Sequence, residues 1–153
     1  MNWLIEMFQN PVAVTGLSSW AIAQLLKTII HIFIYKKLDW HRLFGDGGMP
    51  SGHSATVTSI AVFIALLHGT GSTEFAISAI LAIIVCHDAT GVRLETEKQA
   101  YIINELVKAF SELSEERLPE VKLKQFVGHT PVQVLAGIVL GVSNAFFMYW
   151  LFN

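Results

Sequence analysis

The residues of this chain best suited to chemistry lie in a glycine-rich stretch, residues 47–54 (Gly-Gly-Met-Pro-Ser-Gly-His-Ser), which precedes an apolar run. Glycines let a backbone approach a ligand closely, and Ser51 or Ser54 can cap the helix that the apolar run predicts. A helix N-terminus presents N–H groups and the positive end of its dipole, so it suits a phosphate. His53 is then placed to give a proton to a leaving oxygen. The alternative is a capped helix start that carries an incidental histidine.

A second histidine, His129, lies in a comparable stretch, Gly128-His129-Thr130-Pro131. Thr130 can cap a helix whose first turn holds Pro131. Two histidines in Gly-His stretches with lysines and arginines nearby suit a phosphate better than a metal, because cations repel a metal ion. A mononuclear metal site built from His53, His129 and Asp88 is the alternative.

The composition indicates a membrane protein of one domain, residues 1–153. Hydrophobic residues make up 53% of the chain and charged residues 14%, against about 25% charged in an average soluble domain. The single cysteine, Cys86, leaves no internal disulfide and no cysteine metal cluster. No nucleic-acid motif or dense basic patch is present, so no nucleic-acid partner is expected.

Apolar runs predict an all-α integral membrane bundle of about four transmembrane helices, at residues 11–35, 51–67, 73–90 and 131–152. The two middle runs are short and reach a sufficient length only with their small polar ends. The alternative, a pair of helices buried in a soluble core, leaves the two longer runs unexplained. Residues 94–116 carry apolar positions at helical spacing among Glu and Lys, which predicts one amphipathic helix on the interface or on the bundle.

Lys27 interrupts the first predicted span and shares one helical face with Gln24 and His31. Charged groups at membrane depth usually face the interior of a bundle, so Lys27 is a candidate phosphate contact. The alternative is a lysine that snorkels to the interface.

The order of four spans places the candidate residues on one side of the membrane. The loop before Ser51, the segment after Asp88 and the segment before His129 then share that side, so the two histidines, Asp88 and Arg93 can converge without crossing the bilayer.

Pro50-Ser51-Gly52-His53 resembles the signature of the type 2 phosphatidic acid phosphatases and the vanadium-dependent haloperoxidases. A longer pattern resembles the divergent branch of that family and covers nearly the whole chain, from Gln24 to Gly141. Its parts are residues 47–51, Asp88-Ala89-x-Gly91-Val92-Arg93, Gln99-Ala100, Asn104 and residues 128–131.

The resemblance implies hydrolysis of phosphate monoesters, often of lipids, without a metal or other cofactor. By this resemblance His129 is the nucleophile that forms a phosphohistidine, and His53 is the general acid. Ser51 and the Gly52 amide contact the phosphoryl group. Phosphoryl transfer needs mainly positioning and charge neutralisation, which agrees with these residue types.

The chain departs from the family pattern at several positions. Lys36 and Arg42 have five residues between them where the parent family has six, and no proline follows. The parent family's Ser-Arg ahead of the nucleophile is replaced by Lys122-Leu123-Lys124, so Arg93 or one of these lysines takes the arginine's place. Gln133 stands four residues after His129, where the divergent branch usually has glutamate.

A carboxylate at position 133 would fix the tautomer of the nucleophilic histidine, and a glutamine amide can flip to present a donor instead. Asp88 is the alternative orienting group. The sequence therefore predicts a phosphatase of weak activity whose partners are a lipid phosphate and membrane lipids. Phosphatidate, phosphatidylglycerol phosphate and isoprenyl phosphates all fit, and a homo-oligomer is compatible with the sequence. The alternative is a non-catalytic protein that binds a phospholipid headgroup or serves membrane assembly.

The charge distribution predicts the orientation in the membrane. All ten Lys and Arg residues lie at Lys27, in the loop before Ser51, or within residues 93–124. By the positive-inside rule that side, with the site, is cytoplasmic and both termini face away from it. A reporter that is active only in the cytoplasm, fused after Asn153, is expected to stay silent. An active fusion would contradict this topology.

Overall fold

The structure, a computed structural model, describes residues 2–36, 48–113, 123 and 128–153. In these residues the chain is all-α, as predicted. The helices are α1 (Trp3–Gln9), α2 (Pro11–Tyr35), α3 (Gly52–His68), α4 (Thr73–Thr90), α5 (Val92–Leu113) and α6 (Pro131–Phe152). Gly47, the loop residues 37–46 and residues 114–116 at the end of the predicted amphipathic helix lie outside the described residues.

The helix ends follow from local capping chemistry. The Asn10 side chain accepts hydrogen bonds from the N–H groups of Val12 and Ala13 at the start of α2, where Pro11 is the first helical residue. Ser72 caps α4 in the same way, by accepting from the N–H of Phe75. Gly69 ends α3 with a φ of 79°, a conformation that glycine adopts without the steric cost of a Cβ.

Three helices of the described chain are long and apolar enough to cross a membrane. They are Pro11–Ile34, a continuous stretch Thr73–Ser111 that includes α4 and runs on into α5, and Pro131–Phe152. The apolar helix Gly52–His68 is shorter, and at 1.5 Å per residue it is about 25 Å long against a hydrocarbon core of about 30 Å. Large apolar side chains are exposed along the long helices, as on Ile77, Ile83 and Trp150, which suits a surface that faces lipid.

Helix α3 is central and packs against α2, α4 and α6. It runs parallel to α6 at very short distance, since a Cβ on Gly137 would lie 2.5 Å from the Ser51 carbonyl oxygen, and one on Gly141 would lie 2.5 Å from that of Ala55. Gly137 and Gly141 thus form a small-xxx-small pair that packs α6 onto α3. Farther from the helix starts, Phe63 contacts Tyr149 edge to face, with ring centroids 6.3 Å apart.

A buried polar cluster fixes α2 against this pair. The Asn144 amide nitrogen donates to the Ser19 hydroxyl at 2.7 Å and to the Ser18 hydroxyl at 2.9 Å. The Ser59 hydroxyl of α3 donates to the Thr15 carbonyl at 3.4 Å. Interhelical hydrogen bonds of this kind hold helices together where lipid supplies no hydrophobic driving force.

The close approach of α3 and α6 leads to a stability prediction. In G137A the added methyl group meets the Ser51 backbone, which cannot yield as a flexible side chain would. Overpacking of this kind costs about 1–3 kcal/mol, so thermal unfolding in detergent should begin at a lower temperature. The matched control is G71A, where nothing lies within 4 Å of the added methyl group. Equal unfolding temperatures for G137A and wild type would contradict the prediction.

Candidate active site

The start of α3 is built by Ser51, which is the N-cap of the helix. Its hydroxyl oxygen accepts from the N–H of Ser54 at 3.3 Å and from the Ser54 hydroxyl at 3.0 Å. Its own N–H donates to the Gln133 carbonyl at 2.9 Å, which joins the first turn of α3 to the first turn of α6. The N–H groups of Gly52 and His53 then stand at the N-terminus, where no intrahelical acceptor exists.

His129 lies immediately before α6 and is fully buried, with an exposure of 0%. Its N–H donates to the Ala89 carbonyl, at the end of α4, with an N···O distance of 3.1 Å. Its ring meets the ring of His53, which is half-buried on the first turn of α3. The two ring centroids are 6.1 Å apart and the ring planes are nearly perpendicular. The structure therefore brings together the two histidines that the sequence places 76 residues apart.

Lys27 reaches the same place from α2. Its side chain is only 7% exposed and therefore lies within the bundle. A Cβ on Gly52 would lie 3.7 Å from the Lys27 ammonium nitrogen, and one on Gly48 would lie 3.9 Å from its methylene carbons. Gly48 has a φ of 98°, which requires glycine, so the turn before α3 lies directly over the lysine stem.

The other two residues of the Lys27 face have different environments. Gln24 is buried, and its side-chain oxygen has no hydrogen-bond partner among the described residues. His31 is half-buried, one turn beyond Lys27.

Asp88 and Arg93 lie at the junction of α4 and α5 and pair with each other. The Arg93 Nε donates to the Asp88 Oδ2 at 2.6 Å, and both side chains are about two-fifths exposed. Asp88 and Arg93 lie on either side of Ala89 in the sequence, and the Ala89 carbonyl accepts a hydrogen bond from the His129 N–H. Asp88 thus stands beside the backbone of the His129 segment with its charge balanced by Arg93.

Gln133 closes the N-terminal cap of α6. Its Oε1 accepts from the Thr130 N–H at 3.0 Å, and its own N–H donates to the Thr130 hydroxyl at 3.4 Å. This is a capping box, in which a glutamate serves equally well at the same position. The Gln133 side-chain oxygen, which the sequence offered as an orienting group for His129, is thus bound to the N–H of Thr130, the residue after His129.

Several sequence-predicted groups lie outside the described residues, namely Arg42, Lys122 and Lys124. Within the described residues, no group of three His, Cys, Asp or Glu side chains is arranged so that it could hold a metal ion.

The arrangement favours an anion over a cation. The N-terminus of α3 lies beside the Lys27 ammonium, which adds a full positive charge there, and the parallel helix α6 points its N-terminus toward the same side of the bundle. Because these groups lie in a largely apolar bundle, their field is stronger than it would be in water. The two imidazoles beside them supply groups that can exchange a proton or attack an electrophile.

Sequence reasoning missed two residues that hold the site from α5. The Glu97 carboxylate accepts from the Gly128 N–H at 3.0 Å. The Asn104 side chain exchanges two hydrogen bonds with the Leu123 backbone, at 3.0 Å and 3.1 Å. Asn104 belongs to the pattern noted in the sequence, where it has no assigned role. The signal that could have identified them is their spacing. Glu97 and Asn104 flank the buried Ala100 on one helical face of α5, and the exposed apolar side chains of this helix lie on another face.

The all-helical fold of the described residues and their candidate spans indicate a helical membrane protein. Residues 8–144 match the Divergent PAP2 family, so the chain belongs to this family and the resemblance is confirmed. It is 38% identical over 156 residues to the "Uncharacterized membrane protein YuiD" of Bacillus subtilis (strain 168), a match that covers 94% of this chain and 99% of that protein. The chain is thus a membrane protein with several candidate spans. No solved structure matches it.

The position of Lys27 predicts its effect on anion binding. In K27M the neutral side chain keeps the bulk of the lysine stem but loses the ammonium beside Gly52. A hydrogen bond to a charged group contributes about 1.5–3 kcal/mol, so the Kd for vanadate should rise about 10- to 100-fold. Calorimetric titration of the detergent-solubilised protein measures it.

The matched control for K27M is K98M, which removes an exposed lysine that pairs with Glu95 on α5. Its Kd for vanadate should equal that of the wild type. Equal affinities in K27M and wild type would remove Lys27 from the anion site.

Proposed function

We propose that the protein is a phosphatase that acts without a metal on a lipid or other amphiphilic phosphate monoester, through a phosphohistidine intermediate. The observation that carries the proposal is the contact between the ring of His53, on the first turn of α3, and the ring of His129, immediately before α6. Family membership supports it, because the wider family to which the motif belongs carries out this chemistry at the corresponding histidines.

In the proposed reaction a ring nitrogen of His129 attacks phosphorus as the bond from phosphorus to the ester oxygen breaks. His53 gives its proton to the departing alkoxide, which leaves as an alcohol. A water molecule then attacks the phosphohistidine, His53 takes a proton from that water, and inorganic phosphate is released. Lys27, the Ser51 hydroxyl and the N–H groups at the start of α3 balance the charge on the phosphoryl oxygens.

The apolar surroundings of the site support a lipid as the substrate. In the proposed topology α3 is a fourth span that crosses together with its longer neighbours, and the histidines stand at the cytoplasmic face. Helix α5 lies along that face, with exposed apolar side chains such as Val92, Ile103, Leu106 and Phe110 directed into the interface. The phosphate group of a lipid then reaches the site at headgroup depth, while the hydrocarbon chains of that lipid stay in the bilayer.

A second candidate function is binding of a phospholipid headgroup without turnover. The observation that favours it is the use of Gln133 in the α6 cap and of Asp88 in the pair with Arg93. Under this alternative the same positive site holds a phosphate, and no carboxylate prepares His129 for attack.

Substitution of the two histidines separates the two functions. Purified protein in detergent is incubated with a panel of lipid phosphates, and release of inorganic phosphate is measured. H129A should show no turnover, because the nucleophile is absent, and H53A should lose about 10²- to 10⁴-fold, the contribution of a positioned acid.

The matched control is H68A, which removes an exposed histidine at the far end of α3. It should retain the wild-type rate. Turnover that survives in the H53A/H129A double variant would refute the proposed chemistry. Vanadate binding by a wild-type protein that turns over no member of the panel would favour headgroup binding.

A further inference from the structure

Helix α5 contacts the segment that leads to His129 at two points, which we term the α5 clasp. At one point the Glu97 Oε2 accepts from the Gly128 N–H at 3.0 Å. At the other the Asn104 amide and the Leu123 backbone form a reciprocal pair of hydrogen bonds. A side-chain amide that bonds both the N–H and the carbonyl of one residue gives that backbone the hydrogen bonds that a neighbouring β-strand would otherwise supply.

Gly128 lies so close to the start of α5 that a side chain has no room there. A Cβ at this position would come within 2.7 Å of the Leu94 nitrogen and within 2.9 Å of the Arg93 carbonyl carbon. The segment is thus pressed against the α5 backbone at the residue immediately before His129, and Glu97 closes over the Gly128 N–H from the next turn of α5.

Two consecutive N–H groups are bound to the α4–α5 unit. The Gly128 N–H donates to Glu97 and the His129 N–H donates to Ala89. On its other side His129 is followed by Thr130, the N-cap of α6. The backbone of His129 is therefore fixed from both directions, and this backbone sets where its ring meets His53.

We propose that Glu97 is a positioning residue for His129, and that Asn104 supports it as the second half of the α5 clasp. The proposal rests on the proposed function for its catalytic consequence. A nucleophile displaced by about 1 Å can cost about 100-fold in rate, so an anchor on the adjacent residue acts on the attack step. A carboxylate suits this role because charge-assisted hydrogen bonds are stronger than neutral ones.

Chemical labelling tests the α5 clasp without any need for turnover. His129 is fully buried, so diethyl pyrocarbonate should modify it slowly in the full-length protein in detergent, with the exposed His68 as the internal reference. In E97A, labelling of His129 should become at least about tenfold faster, because fewer hydrogen bonds hold Gly128 against α5. In N104A, labelling of His129 should also become faster, to a smaller extent. E97Q should stay within about twofold of wild type, since its amide oxygen keeps the acceptor.

The matched control for labelling is E95A. Glu95 stands two residues before Glu97 on α5 and forms an exposed pair with Lys98. E95A should label His129 as the wild type does. If His129 stays as protected in E97A and N104A as in wild type, the proposal is overturned. If E97A does not fold, labelling of His129 in N104A decides the result.

Kinetics with an active lipid phosphate separate positioning from general destabilisation. E97A should lower kcat about 10- to 100-fold with KM within about twofold, and E97Q should restore most of the loss. An equal loss in E97Q and E97A, or an effect on KM alone, would overturn the positioning role. A wild-type protein without turnover would refute the proposed function, while the labelling result would still decide whether Glu97 holds His129.

Discussion

The contact of two parallel helices at glycine is the constraint on which the site depends. Gly137 lets α6 approach until its backbone meets the Ser51 carbonyl, and the Ser51 N–H then donates to the Gln133 carbonyl. In this register Ser51, the N-cap of α3, lies beside Gly137, so α6 begins more than one turn before the level at which α3 begins. Both helices point their positive ends toward the same side of the bundle, where His53 on the first turn of α3 meets His129 immediately before α6.

The buried polar cluster extends this constraint to the third helix of the site. Asn144 of α6 bonds Ser18 and Ser19 of α2, and Ser59 of α3 bonds the Thr15 carbonyl. These bonds fix how far α2 slides along its neighbours, since any slip would leave buried polar groups without partners. Two turns beyond Ser19, this register delivers the Lys27 ammonium to the start of α3. The cation thus reaches the site because polar groups far from it hold the helix in place.

Much of this arrangement could be predicted because its signals are local or follow from topology. The helix starts at Pro11, Gly52 and Pro131 follow from caps and prolines near them. The sequence predicts that the two histidines lie on the same side, because successive predicted spans alternate in direction. The pairing of Asp88 with Arg93 and the capping role of Gln133 could not be predicted, because each side chain had several partners within reach and packing chose among them. Glu97 was missed because its partner lies 31 residues away, and a glutamate on an amphipathic helix usually faces water.

Binding a phosphate and breaking its ester bond place different demands on this site. Binding requires a positive field, and that field comes from backbone N–H groups and Lys27, which do not depend on the state of the histidines.

Attack requires in addition that His129 keep one ring nitrogen without a proton, and that its ring lie in line with the leaving oxygen. Under the proposed function, the backbone hydrogen bonds of Gly128 and His129 serve the second requirement. The first depends on the acceptor that faces the other ring nitrogen, and the Gln133 side-chain oxygen is held in the α6 cap by the Thr130 N–H. A glutamate there would keep the cap and add a negative charge about one turn from His129, so under the proposed function a glutamine preserves the fold but gives weaker electrostatic support for attack. We therefore propose that the charge beside His129 decides whether this scaffold turns a phosphate ester over or only binds it.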